Sequence, residues 1–253
     1  MDILLTNDDG IDSPGLAALR EALSEVGTVT VVAPASDQSA VGRAVSGEVA
    51  VRDHERGYAI DGTPSDCVIA GVEALVPRPD VVVAGVNRGA NIGMYTLGRS
   101  GTVSAAVEAA FFDIPAVAAS LYLPGDAFDE PTDRSDYGEA VRATRYLVEN
   151  AVEAGVFEQA DYLNLNAPLP SETPAPMEIT RPSLAYDMAA EQNGDTVRLH
   201  DRMWERMGQG DIPDPEGTDR RALVEGSVSV SPLTAPHTTE HHEALNGLAA
   251  AFD

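Results

Sequence analysis

The chain has 253 residues, 43% of them apolar, which suits one large domain, or one domain with an added segment, around a sizeable core. Forty-one acids against sixteen bases give a net charge of −25, so the basic footprint that nonspecific nucleic-acid binding needs is missing. Every base is an arginine, which excludes chemistry built on a Walker, Schiff-base or kinase lysine, and acid excess without lysine points to adaptation to high salt.

From the N-terminus, Met1–Leu5 has neither a basic leader nor a long apolar stretch, so no signal peptide is expected there. No run of about 18 apolar residues occurs, so no membrane helix is expected and a cytoplasmic protein is the default. Asp2–Thr6 reads as a strand. Pro14–Val26 reads as a helix capped by Ser13, with Leu16, Leu19, Leu23 and Val26 on one face. Val29–Ala33 is a second buried strand, and Gly47–Arg52 with Tyr58–Asp61 an antiparallel pair. Ser65–Leu75 is predicted helical. Residues 80–85, "DVVVAG", form an apolar strand of the kind found inside parallel sheets. A helix is predicted over 100–112, a strand over 115–122, a long helix over Glu139–Ala154 and a strand over 162–168.

This alternation predicts a Rossmann-like, doubly wound α/β core over residues 1–170 with a mostly parallel sheet, whose ligand sits at the carboxyl ends of the strands. Residues 171–253 read as an extension with weaker periodicity: a hairpin, a returning strand within 221–233, and a C-terminal helix over 238–252. A segment with so little core of its own is expected to pack on another subunit.

Four segments carry candidate chemistry. Asp8 and Asp9, in "LLTNDDG", place like charges side by side at a strand end, and a hard cation such as magnesium or manganese would offset them. An Asx-type turn, with Gly10 at positive φ, is the structural alternative. The loop 33–46 offers Ser39 as a neutral oxygen ligand. In "AGVNRGANIG", 84–93, Asn87 and Asn91 supply amide groups and Arg88 could neutralise a phosphate; the spacing is not a dinucleotide fingerprint, because no helix opens on its glycines. Ser100-Gly101-Thr102 open a helix whose free N–H groups favour an anion, with Arg99 adding charge. Elsewhere, His237, His241 and His242 read as a solvated helix rather than a metal site, and His54 and His200 are isolated. Trp204 reads as a subunit contact rather than a base-stacking residue. The single Cys67 reads as core and rules out an intrachain disulfide or a multi-cysteine zinc site.

Seven stretches in order, "ILLTNDDGIDSPGLAAL", "VVAPASDQSAVG", "YAIDGTPSDCV", "PDVVVAGVNRGANIG", "SGTVSAAVEA", "IPAVAAS" and "VEGSVSVSPL", resemble the SurE (survival protein E) family of metal-dependent nucleotidases. The resemblance implies a cytoplasmic phosphatase of 5′- and 3′-nucleoside monophosphates, with short polyphosphate as a further substrate in some members. It implies one magnesium, manganese or cobalt ion per subunit, held at Asp8, Asp9, Ser39 and Asn87. Substrate phosphate is implied at Asn91, Ser100, Gly101 and Thr102, and a homodimer or homotetramer is implied through the C-terminal extension. Arg99 stands where the family usually has Tyr, and its guanidinium could clamp a second phosphate.

The chemistry this implies is attack by water assisted by a metal, with Asp8 or Asp9 as ligand and base; a nucleophilic Asp forming an aspartyl-phosphate is the competing route. Two further classes stand beside it: a two-component receiver, which needs a lysine this chain lacks, and a catalytically silent nucleotide-binding scaffold.

Overall fold

A computed structural model describes residues 1–235, and the histidine cluster and terminal helix anticipated beyond them lie outside the described residues. The strands, numbered in chain order, are β1 (Asp2–Thr6), β2 (Thr28–Pro34), β3 (Ala50–His54), β4 (Gly57–Asp61), β5 (Val81–Arg88), β6 (Ala116–Leu121), β7 (Tyr162–Ala167), β8 (Met177–Ile179), β9 (Met188–Asn193), β10 (Thr196–Asp201) and β11 (Val228–Leu233). The helices are α1 (Pro14–Leu23), α2 (Pro64–Ala70), α3 (Met94–Leu97), α4 (Gly101–Phe111), α5 (Gly138–Asn150), α6 (Arg202–Gly208) and α7 (Asp219–Val224). None is long and apolar enough to cross a membrane.

Nine strands form one sheet in the order β3-β4-β2-β1-β5-β6-β7-β11-β8. All neighbours are parallel except β3 with β4 and β7 with β11. The period of two along β1 divides the core: Ile3 and Leu5 join the cluster under α1 and α5, and Leu4 joins the one under α2 and α4. The anticipated face of α1 is realised, with Leu16, Leu19 and Leu23 fully buried. Each contributes about 1.5–3 kcal/mol relative to exposure. Ser13 Oγ accepts from the Leu16 N–H at 3.4 Å to start that helix, and Thr63 and Asp66 form a capping box at α2.

The chain leaves β1 toward β2 on one side and later returns to β5 on the other. The sheet therefore reverses its winding between β1 and β5, and a crevice opens at their carboxyl ends.

The extension departs most from the reading of its sequence. Its hairpin, β9–β10, forms a separate two-stranded ribbon, and β11 returns antiparallel to β7. Two helices, α6 and α7, stand where no helix was anticipated, and they have a core after all. Met203, Met207 and Leu223 pack with Ile212, Ile92 and Tyr122 in a third apolar cluster. Arg220 and Asp214, paired at 3.0 Å with side chains 2% and 0% exposed, lie beside it in sequence and cross-link the segment.

Candidate metal and phosphate site

The Asp pair sits on a turn built by Asn7, which is fully buried and donates through Nδ2 to the Gly10 carbonyl at 2.9 Å and to Ser13 Oγ at 2.8 Å. Gly10 has φ +94°, and a Cβ there would meet the Ser36 carbonyl carbon at 3.2 Å, so glycine both makes the turn and lets the loop after β2 approach. That loop is stitched on by the Ile11 N–H to the Pro34 carbonyl at 2.8 Å and the Gln38 N–H to the Asp8 carbonyl at 2.7 Å. The turn anticipated as an alternative is present, and it leaves room for a ligand role of the pair: Asn7 makes the turn, and Asp8 and Asp9 ride on it.

Ser39 follows directly. Its N–H and Oγ donate to Asp37 Oδ1 at 2.9 and 2.6 Å, leaving the hydroxyl lone pairs for another partner. On the opposite side β5 shifts register between Ala84 and Asn87, a bulge that re-aims the strand end. Asn87 Nδ2 donates to the Gly89 carbonyl at 2.5 Å, which leaves the amide oxygen. Asn91 is clasped by β7: its N–H donates to Asn166 Oδ1 at 2.7 Å, and its carbonyl accepts from Asn164 Nδ2 at 2.8 Å and Asn166 Nδ2 at 3.2 Å. Its own Nδ2 donates to Ser120 Oγ at 2.9 Å. A short helix, α3, does open after Gly93, contrary to the sequence reading; four residues long, it starts with no side-chain cap.

The start of α4 is used differently from the expectation. Ser100 caps it, accepting from the Val103 N–H at 3.1 Å, and remains on the cavity wall. Thr102, fully buried, donates its hydroxyl to Asp8 Oδ1 at 2.5 Å. A Cβ at Gly101 would lie 2.9 Å from the Asp8 Cβ. The anion at this helix start is therefore the protein's own Asp8, brought there by the close approach that glycine permits.

Asp8, Ser39, Asn87, Asn91, Arg99 and Ser100 line one cavity of about 600 Å³. Asp9 opens onto an adjoining cavity that shares Ser39 and Arg88, and its Oδ2 accepts from the Arg88 N–H at 2.8 Å. Arg88 lines both cavities, and one of its guanidinium nitrogens, Nη2, donates to the carbonyls of Phe128 and of Glu130, the latter at 2.8 Å. Gly101 and Thr102 lie behind Asp8 rather than on the wall.

Burial raises the pKa of Asp8 despite the Thr102 hydrogen bond. Burial, then repulsion from Asp8, pushes Asp9 up from 3.8 to about 7. Among the described residues no arginine or histidine forms an ion pair with either. Nor do three or more His, Cys, Asp or Glu gather there. The donor set is two carboxylates with a neutral hydroxyl and a neutral amide oxygen. Such an all-oxygen set, short of positive charge, fits magnesium or manganese and does not fit zinc's preference for nitrogen and sulfur.

Four supports had not been singled out from sequence. Asp37 anchors Ser39. Asn164 and Asn166 alternate with apolar residues in "YLNLNA", and polar residues on a buried strand were the available signal. Asp219 accepts from the Gly93 N–H at 2.7 Å and the Ser183 N–H at 2.9 Å, tying the Asn91 turn to the extension.

Comparison with known proteins agrees with this geometry. The profile of the family described as Survival protein SurE matches residues 3–188. The protein named 5′-nucleotidase SurE from Haloarcula marismortui is 66% identical, with 99% of this chain and 95% of that protein covered. A Geobacter sulfurreducens protein of the same name is 41% identical over 92% of this chain and 87% of its own length. The crystal structure of the SurE protein from Aquifex aeolicus superposes with a TM-score of 0.82 at 30% identity, covering both chains fully.

Proposed function

The chain belongs to the SurE family, and we propose that it is a 5′-nucleotidase, a phosphoric monoester hydrolase acting on nucleoside monophosphates in the cavity at the β1–β5 crevice. The observation that carries this reading is the uncompensated Asp8–Asp9 pair between two adjoining cavities, with the neutral oxygens of Ser39 and Asn87 on the same wall as Asp8 in the one large enough for a nucleotide. Asp8, Asp9, Ser39 and Asn87 would hold one divalent ion per subunit, magnesium, manganese or cobalt. That ion would screen the phosphate from the carboxylates and polarise the phosphoryl oxygens.

The rest falls to the chain's own groups. Ser100, at the start of α4, and Arg99, exposed at the rim, receive the phosphate, with Asn91 completing that end and Gly101 and Thr102 fixing Asp8 behind it. The transition state spreads charge over the equatorial oxygens, so fixed donors matter more than covalent chemistry. Water attacks, and the carboxylate pair is the candidate base. Among the described residues no histidine lines the cavity, so the leaving oxygen would take its proton from water or a metal-bound group. With its charge at the rim, Arg99 extends the range toward substrates bearing a second phosphate, short polyphosphate included, and 3′-nucleoside monophosphates are a further substrate class.

The assembly is a homodimer or homotetramer formed through the extension 171–253. The exposed apolar residues Leu184, Tyr186, Val197 and Leu199, on and before the β9–β10 hairpin, support that reading. The acidic composition without lysine supports a protein working at high salt. The test is phosphate release from AMP, GMP and para-nitrophenyl phosphate at high salt, with and without manganese. Metal-dependent release is expected, and its absence from every substrate would refute the reading in favour of a silent scaffold.

A further inference from the structure

We propose that Trp204 is the stacking platform for the nucleobase, an assignment that rests on the nucleotidase reading. Sequence reasoning gave Trp204 to a subunit contact. The structure places it on the wall of the same cavity as Asp8, Asn87 and Ser100, with Phe128, Tyr122 and Leu123. A phosphate held by Ser100 and Arg99 leaves the rest of the nucleotide inside this one cavity, whose other wall is this apolar set.

The platform is built rather than accidental. Helix α6 is anchored through Met203 and Met207, 2% and 4% exposed, in the third apolar cluster. Its N-terminus is capped by Asp201, which accepts from the Met203 N–H at 2.9 Å. Trp204 is left 39% exposed, in a helix whose neighbours at 203 and 207 are buried. Phe128 is fixed in its turn: the Arg88 guanidinium lies 5.0 Å from its ring centroid and donates to its carbonyl. Arg88 thus holds an aromatic ring on the ligand side. Glu205 and Asp129 also line this wall, so it repels a phosphate, while at the other end Arg99 attracts one and a divalent ion would offset Asp8. That polarity would orient a nucleotide with its phosphate toward α4 and its base toward α6. A stacked base contributes about 1–3 kcal/mol by alanine substitution.

Trp204 is the chain's one tryptophan, so its emission reports the subsite directly. Adenosine, which carries no phosphate to hydrolyse, and AMP are each titrated against ribose 5-phosphate. Saturable quenching by adenosine and AMP but not by ribose 5-phosphate is expected. Trp204→Ala is expected to raise the KM for AMP about tenfold more than it raises that for ribose 5-phosphate, with Trp204→Phe restoring most of the difference. Equal quenching by ribose 5-phosphate, an equal KM change for both substrates, or emission that follows protein concentration instead of nucleoside would each overturn the proposal, the last in favour of a subunit contact. Failure of the wild type to release phosphate from either ester would sink the nucleotidase reading, while adenosine quenching still decides the stacking site.

Discussion

On one side of the cavity, Asp8, Asn87 and Asn91 are all less than a tenth exposed, and each is tied by hydrogen bonds to a neighbouring strand end, loop or helix start. On the other, Phe128 and Trp204 remain 52% and 39% exposed, with no side-chain hydrogen bond among the described residues to fix them. Their positions come from what lies behind: the Arg88 guanidinium, and the apolar cluster around Met203 and Met207. The polar wall is set by the topology of the parallel sheet, which brings β1, β5 and the start of α4 to one edge. The aromatic wall joins two segments: the loop after β6, which carries Tyr122, Leu123 and Phe128, and helix α6 of the extension, which carries Trp204. The comparison teaches that the two walls can fail separately: groups that handle charge are preorganised within the core, and groups that meet the organic part of the substrate stand on a more separable support.

The largest expected effect breaks the support of the aromatic wall. Asp214→Ala leaves Arg220 charged and buried beside the third cluster, which should cost about 3–5 kcal/mol. In a urea titration the Trp204 emission transition should move to lower urea than in wild type. An unchanged midpoint would mean that the extension does not depend on this pair.

Next comes the chemistry of the polar wall. Asp9→Asn keeps the size of the side chain and halves the carboxylate charge. It should lower kcat for AMP about 10²- to 10³-fold with adenosine quenching of Trp204 retained, since the two walls are separate. Turnover close to wild type would remove Asp9 from the reaction.

A smaller effect tests the clasp behind Asn91. Asn166→Leu deprives the buried Asn91 N–H of its acceptor and its carbonyl of one donor, at a cost of about 1–3 kcal/mol. Denaturant unfolding measures that loss, and a kinetic comparison should show kcat/KM falling for AMP and ribose 5-phosphate alike. A loss confined to AMP would place Asn91 on the base side instead.

The smallest effect uses Cys67, which is fully buried on α2 in the core cluster that includes Leu4 of β1. Burial favours the neutral thiol and pushes its pKa up. The thiolate fraction of the folded protein should therefore stay low where a free cysteine ionises, and labelling by an aromatic disulfide reagent should stay slow from about pH 7 to pH 9. Labelling that climbs in parallel with a free thiol would show that the core beneath the Asp turn opens readily.

The sequence made the polar wall legible and the aromatic wall obscure for a physical reason. Continuous apolar runs such as "DVVVAG" and the heptad-like spacing of Leu16, Leu19 and Leu23 are local signals, and the loops they bracket hold Asp8, Ser39 and Asn87. Asn164 and Asn166 hid inside an apolar strand because their partner, the Asn91 backbone, is more than seventy residues away. Helices α6 and α7 are seven and six residues long, too short for their spacing to stand out, and they are specified by the buried Arg220–Asp214 pair and the methionines between them and the core. Arg88 was read as a neighbour of the phosphate, and its hold on the Phe128–Glu130 segment through Nη2 was not legible because it joins residues about forty positions apart. Trp204 was read as a subunit contact because a lone aromatic on a weakly periodic segment carries no sign of which cavity it lines, and the structure sets it on the cavity wall.

The central claim is that Asp8 and Asp9 lack a positive charge that a divalent ion supplies. Calorimetric titration of manganese into the metal-free protein at high salt tests it directly. One saturable ion per chain is expected, with binding abolished by Asp9→Asn and weakened by Asn87→Ala. The absence of a saturable site in the wild type, or one left intact by Asp9→Asn, would contradict the account.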